Sequence, residues 1–245
     1  MLILAIETTG PLASCALGAE GGAVQLVNTT KYSHLEEIAP MVKRILEENG
    51  SGAADLSAIA VSRGPGSFTG VRIGMATVKG LAEVWNMPVI EVPTLASFAF
   101  GEYDWLEEGC RYLFCPIFDA RREQVYSGVY VPGSNVPLIA DSACDFGELL
   151  EKIRGLIGDF DRVCFFGDAI SIYEDMIEGS GLPYVIAPEK DRYQMAKSVL
   201  KLGVKLFREG KLSDAFSCKP EYLRLAEAER KLREKLAAQE KNGTV

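Results

Sequence analysis

The chain contains a single histidine, His34, in 245 residues. A two-histidine metal site is therefore impossible, which removes the H-E-x-x-H and H-x-x-x-H hydrolase patterns. A serine hydrolase would need His34 as its base, yet no serine lies in a G-x-S-x-G elbow, and Ser67 follows Pro65-Gly66 instead. The six cysteines show no C-x-x-C spacing. With no secretory signal they read as reduced thiols, not as a disulfide frame or a structural zinc site. Long apolar runs are missing as well. Met1-Leu2-Ile3-Leu4-Ala5-Ile6 has no basic flank and stops at Glu7, so it reads as a buried strand and not a signal peptide, and no window reaches a membrane span. Positive charge is scarce: 26 Lys and Arg against 34 Asp and Glu give −8, the wrong sign for direct nucleic-acid binding. These absences lead to the expectation of a cytoplasmic protein that would meet any RNA through a partner.

A 48% hydrophobic composition supplies a large core. Alternation and turn residues predict strands at about 2–7, 13–18 and 23–30, a helix from 34, a strand at 57–62, a helix at 68–86 and a strand at 88–92 followed by a short helix. Short Gly/Pro loops make the first three an antiparallel meander, and the later strand–helix–strand steps require parallel crossovers, so the sheet is mixed. A second unit begins near Gly109, with strands at 111–118 and 124–131 around Asp119-Ala120-Arg121-Arg122. A Pro/Gly loop, a helix at 145–157 and strands at 162–166 and 184–187 follow. An amphipathic helix at about 192–209 packs back on the first unit. The domain reading is an N-terminal lobe at 1–100, a second lobe at 101–191, a returning segment at 192–224 and a charged tail at 225–245, where Glu227/Lys231 and Glu229/Arg233 form i,i+4 pairs.

Gly64-Pro65-Gly66-Ser67-Phe68-Thr69-Gly70-Val71-Arg72-Ile73-Gly74 stands where a strand hands over to a helix. Gly70 and Gly74 fall i,i+4 inside that helix, where each glycine costs roughly 1 kcal/mol relative to alanine. Something must come close to it, either a phosphate at the turn or another helix on the bare face. The third glycine is one residue late for a dinucleotide fingerprint with Glu91 as its acid, Pro65 removes an N–H, and no Gly-Lys-Ser/Thr follows for a Walker motif. Ser33-His34-Leu35-Glu36 fits a capping box, which places His34 exposed in a first helical turn, with Pro40 expected to kink the helix or delay its start. Thr8, Thr9, Asp119 and Arg121 are polar residues at strand ends.

Ile3-Leu4-Ala5-Ile6-Glu7-Thr8-Thr9 with Ser14-Cys15-Ala16-Leu17, the segment Gly64 to Gly74, Asp119-Ala120-Arg121-Arg122-Glu123-Gln124-Val125-Tyr126 and Pro220-x-Tyr222-Leu223-Arg224 together resemble the TsaB (YeaZ) family over nearly the whole chain. The resemblance implies a duplicated α/β fold of the actin/hexokinase-like (ASKHA) kind and a role in making threonylcarbamoyladenosine at tRNA position 37. It implies a non-catalytic subunit that activates a TsaD-like catalytic partner, with a TsaE-like ATPase as third component. It further implies homodimers when the subunit is isolated, tRNA held only through the complex, and no membrane involvement. It also implies that ATP and a metal ion belong to the partners, with no cofactor on this chain alone.

Active members of the wider fold carry Asp in the first hairpin and D-x-G in the second. Here Glu7, Thr8 and Thr9, and Asp119-Ala120-Arg121, stand at those positions as degenerate phosphate loops. The glycine helix then reads as a protein-facing surface, with His34, Met41, Phe68, Gly70, Val71, Gly74, Met75 and Val78 as the interface, formed with the helix that begins near His34. The alternative from another class is a nucleotide-dependent small-molecule kinase of the same fold. A peptidase reading, suggested by the sister subunit's older classification, is opposed by the histidine count.

Overall fold

The computed structural model describes residues 1–224 except 29, 31 and 32; the tail expected at 225–245 lies outside the described residues. Five strands, β1 (Ile3–Glu7), β2 (Ser14–Ala19), β3 (Gly22–Val27), β4 (Ala58–Gly64) and β5 (Val89–Pro93), form one sheet in the order β3-β2-β1-β4-β5. β1–β2 and β2–β3 pair antiparallel, and β1–β4 and β4–β5 pair parallel. The helices of this half are α1 (His34–Glu48), α2 (Phe68–Trp85) and the short α3 (Thr94–Ser97). The second half repeats the scheme with β6 (Tyr112–Asp119), β7 (Gln124–Val129), β8 (Ile139–Asp145), α4 (Phe146–Arg154), β9 (Arg162–Phe166), α5 (Ile170–Gly179) and β10 (Tyr184–Ile186). Its sheet order, β10-β9-β6-β7-β8, is the same connectivity, again antiparallel for the hairpins and parallel for the crossovers. α6 (Ala196–Arg208) follows.

Each sheet buries both faces, so its central strands are apolar at nearly every position; β1 is completely buried. α6 covers one face of the first sheet through Val199, Leu200 and Leu202, in a core that runs into Phe98, Phe114 and Phe166 of the lobe junction. α1 and α2 cover the opposite face, with Ile38, Val42, Ile45, Met75 and Val78 packed on Leu4, Ile6 and Ile59. The second sheet packs on α4 and α5 through Phe146, Leu149, Ile170 and Ile177.

Two elements go beyond the sequence reading. β8 lies in the stretch read as a Pro/Gly loop, and α5 follows β9. β8 is an edge strand whose residues are mostly half-buried, so Asp141, Ser142 and Asp145 dilute the alternation that would reveal it. α5 carries a non-helical Tyr173 (φ −115°, ψ 15°), which breaks its 3.6-residue period. α1 begins at His34 and runs through Pro40, so the expected late start does not occur. Pro40 sits on the exposed side, where a carbonyl left without its N–H partner can bond water.

Candidate functional site

β1 ends in a tight turn, Thr8-Thr9-Gly10, and α2 starts directly above it. Ser67 caps α2 by accepting the Gly70 N–H at 3.2 Å, and its own N–H reaches the Thr9 carbonyl at 2.8 Å. The Thr8 hydroxyl donates to the Gly70 carbonyl at 2.7 Å. A Cβ on Gly70 would lie 2.0 Å from the Thr8 carbonyl oxygen, and one on Gly74 would lie 2.4 Å from Thr8 Oγ1. The close approach inferred from these glycines is real, but the approaching group is Thr8 of the chain's own turn after β1. Gly70 and Gly74 are thus buried against the chain's own Thr8 and present no open face. Val71 is buried beside them, Met75 and Val78 lie in the intramolecular core, and Met41 of α1 joins that core. Of the expected α2 interface set, Phe68 alone faces outward, at 45% exposure.

His34 also turns inward. It is only 4% exposed, with Nε2 2.8 Å from the Gly10 carbonyl, which ties the start of α1 to the β1–β2 turn. Ser33 does not cap α1 with its side chain. Its hydroxyl donates to the Thr30 carbonyl at 3.0 Å and accepts from Asn28 Nδ2 at 2.6 Å, so the capping-box pattern loses to a local turn.

Between the lobes lies a cleft of about 490 Å³, walled by Thr9–Pro11 and Gly66–Thr69 on one side and by Phe118–Arg121, Tyr126 and Asp168 on the other. Its size suits a small ligand. The first turn, however, spends its anion-binding groups internally. The buried Glu7 carboxylate accepts the Thr9 N–H and the Ser62 hydroxyl. Burial raises the Glu7 pKa, opposed by those hydrogen bonds. Gln194, 4% exposed, donates from Nε2 to Thr9 Oγ1 at 2.8 Å, and its amide lies 2.9 Å from where a Gly10 Cβ would stand. In the second hairpin, Asp119 is turned onto its own loop: Oδ1 accepts the Arg121 N–H at 2.7 Å and Oδ2 pairs with the Arg121 guanidinium at 3.0 Å. Asp168 Oδ1 accepts the Asp119 N–H at 3.0 Å. Partial withdrawal from water, with Asp119 adding to it, raises the Asp168 pKa. Gln194 and Asp168 belong to no sequence motif, and only the folded chain brings them to the cleft. Glu91, considered as a dinucleotide acid, instead accepts the Ser213 hydroxyl and the Lys219 N–H.

The outward face of α2 carries Thr69, Arg72, Ala76, Gly80 and Val84 at helical spacing, with Val84 80% exposed. α1, packed beside it, exposes Leu35, Ala39 and Pro40. Among the described residues no cluster of three or more His, Cys, Asp or Glu could hold a metal, and no helix is long and apolar enough to cross a membrane.

Two lobes of identical strand order around a central cleft define a protein of the actin/hexokinase-like (ASKHA) class. Residues 27–232 match the family model for TsaD, tRNA N6-adenosine threonylcarbamoyltransferase. The chain is 34% identical over 244 residues to the tRNA threonylcarbamoyladenosine biosynthesis protein TsaB of Bacillus subtilis strain 168, spanning 94% of this chain and 97% of the relative. It is 33% identical over 235 residues to the TsaB of Escherichia coli strain K12, at 95% and 98% coverage. A crystal structure from Pseudomonas aeruginosa, described as similar to peptidase YEAZ, superposes with a TM-score of 0.75 at 27% identity, covering 91% of this chain and 99% of that one. The chain belongs to the TsaB (YeaZ) family.

Proposed function

We propose that this chain is a non-catalytic subunit of the machinery that makes threonylcarbamoyladenosine in tRNA, and that it acts by binding and activating a TsaD-type catalytic partner. The pathway comes from the names of its relatives. The observation that carries the non-catalytic reading is the turn after β1. Its Thr9 N–H, which would meet a phosphate in a nucleotide-using protein of this fold, is held by the chain's own Glu7, and Gln194 covers the turn. A carboxylate in the anion position competes with any incoming phosphate. ATP, the metal ion and a TsaE-type ATPase then belong to the partner side, and tRNA is met through the complex, consistent with the −8 charge.

The docking surface in this reading is the outward side of α1 and α2: Leu35 and Ala39 on α1, and Thr69, Arg72, Ala76, Gly80 and Val84 on α2. Small side chains along α2 let a partner helix approach closely, and the same surface would serve a homodimer in the absence of the partner. Ala76→Arg tests it, because the site is exposed and the fold should be unaffected. Affinity for a TsaD-type partner should fall about tenfold or more, the usual size of an overpacked contact. Unchanged binding would remove this face from the interface. Turnover of ATP by the isolated chain, lost on Glu7→Ala, would favour the kinase reading.

A further inference from the structure

The stretch 219–224 crosses from the first lobe to the second at the edge of the cleft, and it is anchored at both ends. On the first lobe, the Lys219 N–H donates to Glu91 Oε1 at 2.8 Å and the Glu221 N–H donates to the Arg63 carbonyl at 2.8 Å. The Glu221 carboxylate pairs with Arg63 Nε at 2.9 Å. The Glu221 carbonyl lies 2.6 Å from where a Gly64 Cβ would stand, so the segment seats against a position that only glycine, at φ +114°, leaves open. Tyr222, 45% exposed, stacks 5.5 Å from the Phe68 ring, and its hydroxyl accepts from Arg72 Nε at 3.0 Å. The Arg72 guanidinium lies 3.7 Å over the Phe68 ring.

On the second lobe, Arg224 donates from one terminal nitrogen to the Ala120 carbonyl at 2.6 Å and from the other to Gln124 Oε1 at 2.5 Å. Those acceptors flank Arg121, Arg122 and Glu123, three successive residues in the left-handed region at φ 63°, 55° and 60°. Each of these conformations is disfavoured for a residue with a Cβ, so the turn relies on its surroundings to hold it. Within the turn there are two backbone bonds, Ala120 N–H to the Gln124 carbonyl at 3.0 Å and Gln124 N–H to the Arg121 carbonyl at 3.2 Å. Arg224 closes the base of the turn from outside. Ala120 and Arg121 in turn form part of the cleft wall.

We propose that residues 219–224 form a latch that couples the exposed Phe68–Arg72–Tyr222 patch at the start of α2 to the 120–124 turn of the cleft, with Arg224 as the positioning residue. A protein partner that seats on the patch displaces or tightens Tyr222, and the displacement reaches the turn through Arg224 two residues later. This coupling deepens the docking reading given above and rests on it for the partner's identity; the latch itself can be tested on the chain alone.

Hydrogen exchange on the intact chain provides that test. Arg224→Ala removes the anchor, and Tyr222→Ala removes the first-lobe stack without touching the turn. Both should raise exchange at the Ala120 and Gln124 amides about tenfold, the scale of a lost hydrogen bond to a charged group, while β6 and β7 amides away from the turn stay protected. Addition of a TsaD-type partner should change exchange at the turn in the natural chain and leave it unchanged in Arg224→Ala. Wild-type protection in Arg224→Ala would overturn the latch, and wild-type protection in Tyr222→Ala alone would overturn the coupling. Failure of the partner to bind the natural chain would count against the docking reading, while the two variants still decide the latch.

Discussion

Replacing Gly70 with alanine would place a methyl carbon 2.0 Å from the Thr8 carbonyl oxygen, a backbone atom with no rotamer to yield. Thr8 cannot retreat easily, since the strand before it is buried throughout and the next residue is bonded to Glu7 and Gln194. Relief must come from α2 lifting away, which breaks the Thr8–Gly70 hydrogen bond of 2.7 Å and loosens Met75 against the sheet. Helix propensity favours alanine by about 1 kcal/mol. Against it stand overpacking, about 1–3 kcal/mol, and the lost hydrogen bond, about 1 kcal/mol. The net loss is about 1–3 kcal/mol, and at about 2–4 °C per kcal/mol for a chain of this length Tm should fall by about 2–12 °C. Gly80 provides the control. It lies on the same helix, and a Cβ there would meet no atom within 4 Å, so Gly80→Ala keeps the propensity gain and should raise Tm by a few degrees. Thermal unfolding of the two variants, followed by circular dichroism, gives opposite signs in this account. A Gly70→Ala chain that melts at or above the natural temperature would refute the reasoning.

Two further substitutions probe buried polar groups. His34→Ala should cost about 2–4 kcal/mol, because it removes a buried ring and leaves the Gly10 carbonyl without that partner; urea unfolding would show a lower midpoint, and an unchanged midpoint would return His34 to the surface role its capping pattern suggests. Asp141 receives the Tyr130 hydroxyl, and its pKa is raised to about 6, chiefly by burial and further by Glu221, against the Tyr130 bond and Arg63. Because the folded pKa lies above that of a free carboxyl, the fold prefers protonated Asp141, and the cost of its charge grows as pH rises from the free-carboxyl range towards about 6, where it reaches its full size. Asp141→Asn keeps an acceptor for Tyr130 and should stabilise the chain by about 1–3 kcal/mol at pH 8 and by little at pH 4, read as the difference between the two melting curves. Equal effects at both pH values would contradict the assignment.

The architecture was largely legible because it is written in backbone chemistry. Apolar strands buried on both faces, Gly/Pro turns and the repeated hairpin marked the first sheet and the start of the second. β8 and α5 were hidden by polar edge residues and by the break at Tyr173. The site was legible in a different sense. Gly70 and Gly74 announced a close contact, but a missing Cβ does not name its neighbour, and Thr8 is 62 residues away from Gly70 in the chain. Ser33 and His34 matched a capping box whose hydroxyl Asn28 had already claimed. Gln194 and Arg224 carry out their roles through tertiary placement, and no spacing rule points to a side chain that covers a turn 185 residues earlier or braces one 104 residues earlier.

In the function proposed above, this chain has no chemistry of its own and confers activity on a TsaD-type transferase. Reconstitution measures it most directly: formation of threonylcarbamoyladenosine on tRNA, with the activated threonylcarbamoyl donor and the other components supplied, by this chain alone, by the TsaD-type partner alone and by the two together. The account predicts product only with both present, strongly reduced by Ala76→Arg. Product from this chain alone, or full activity of the partner without it, would rule out the activating role.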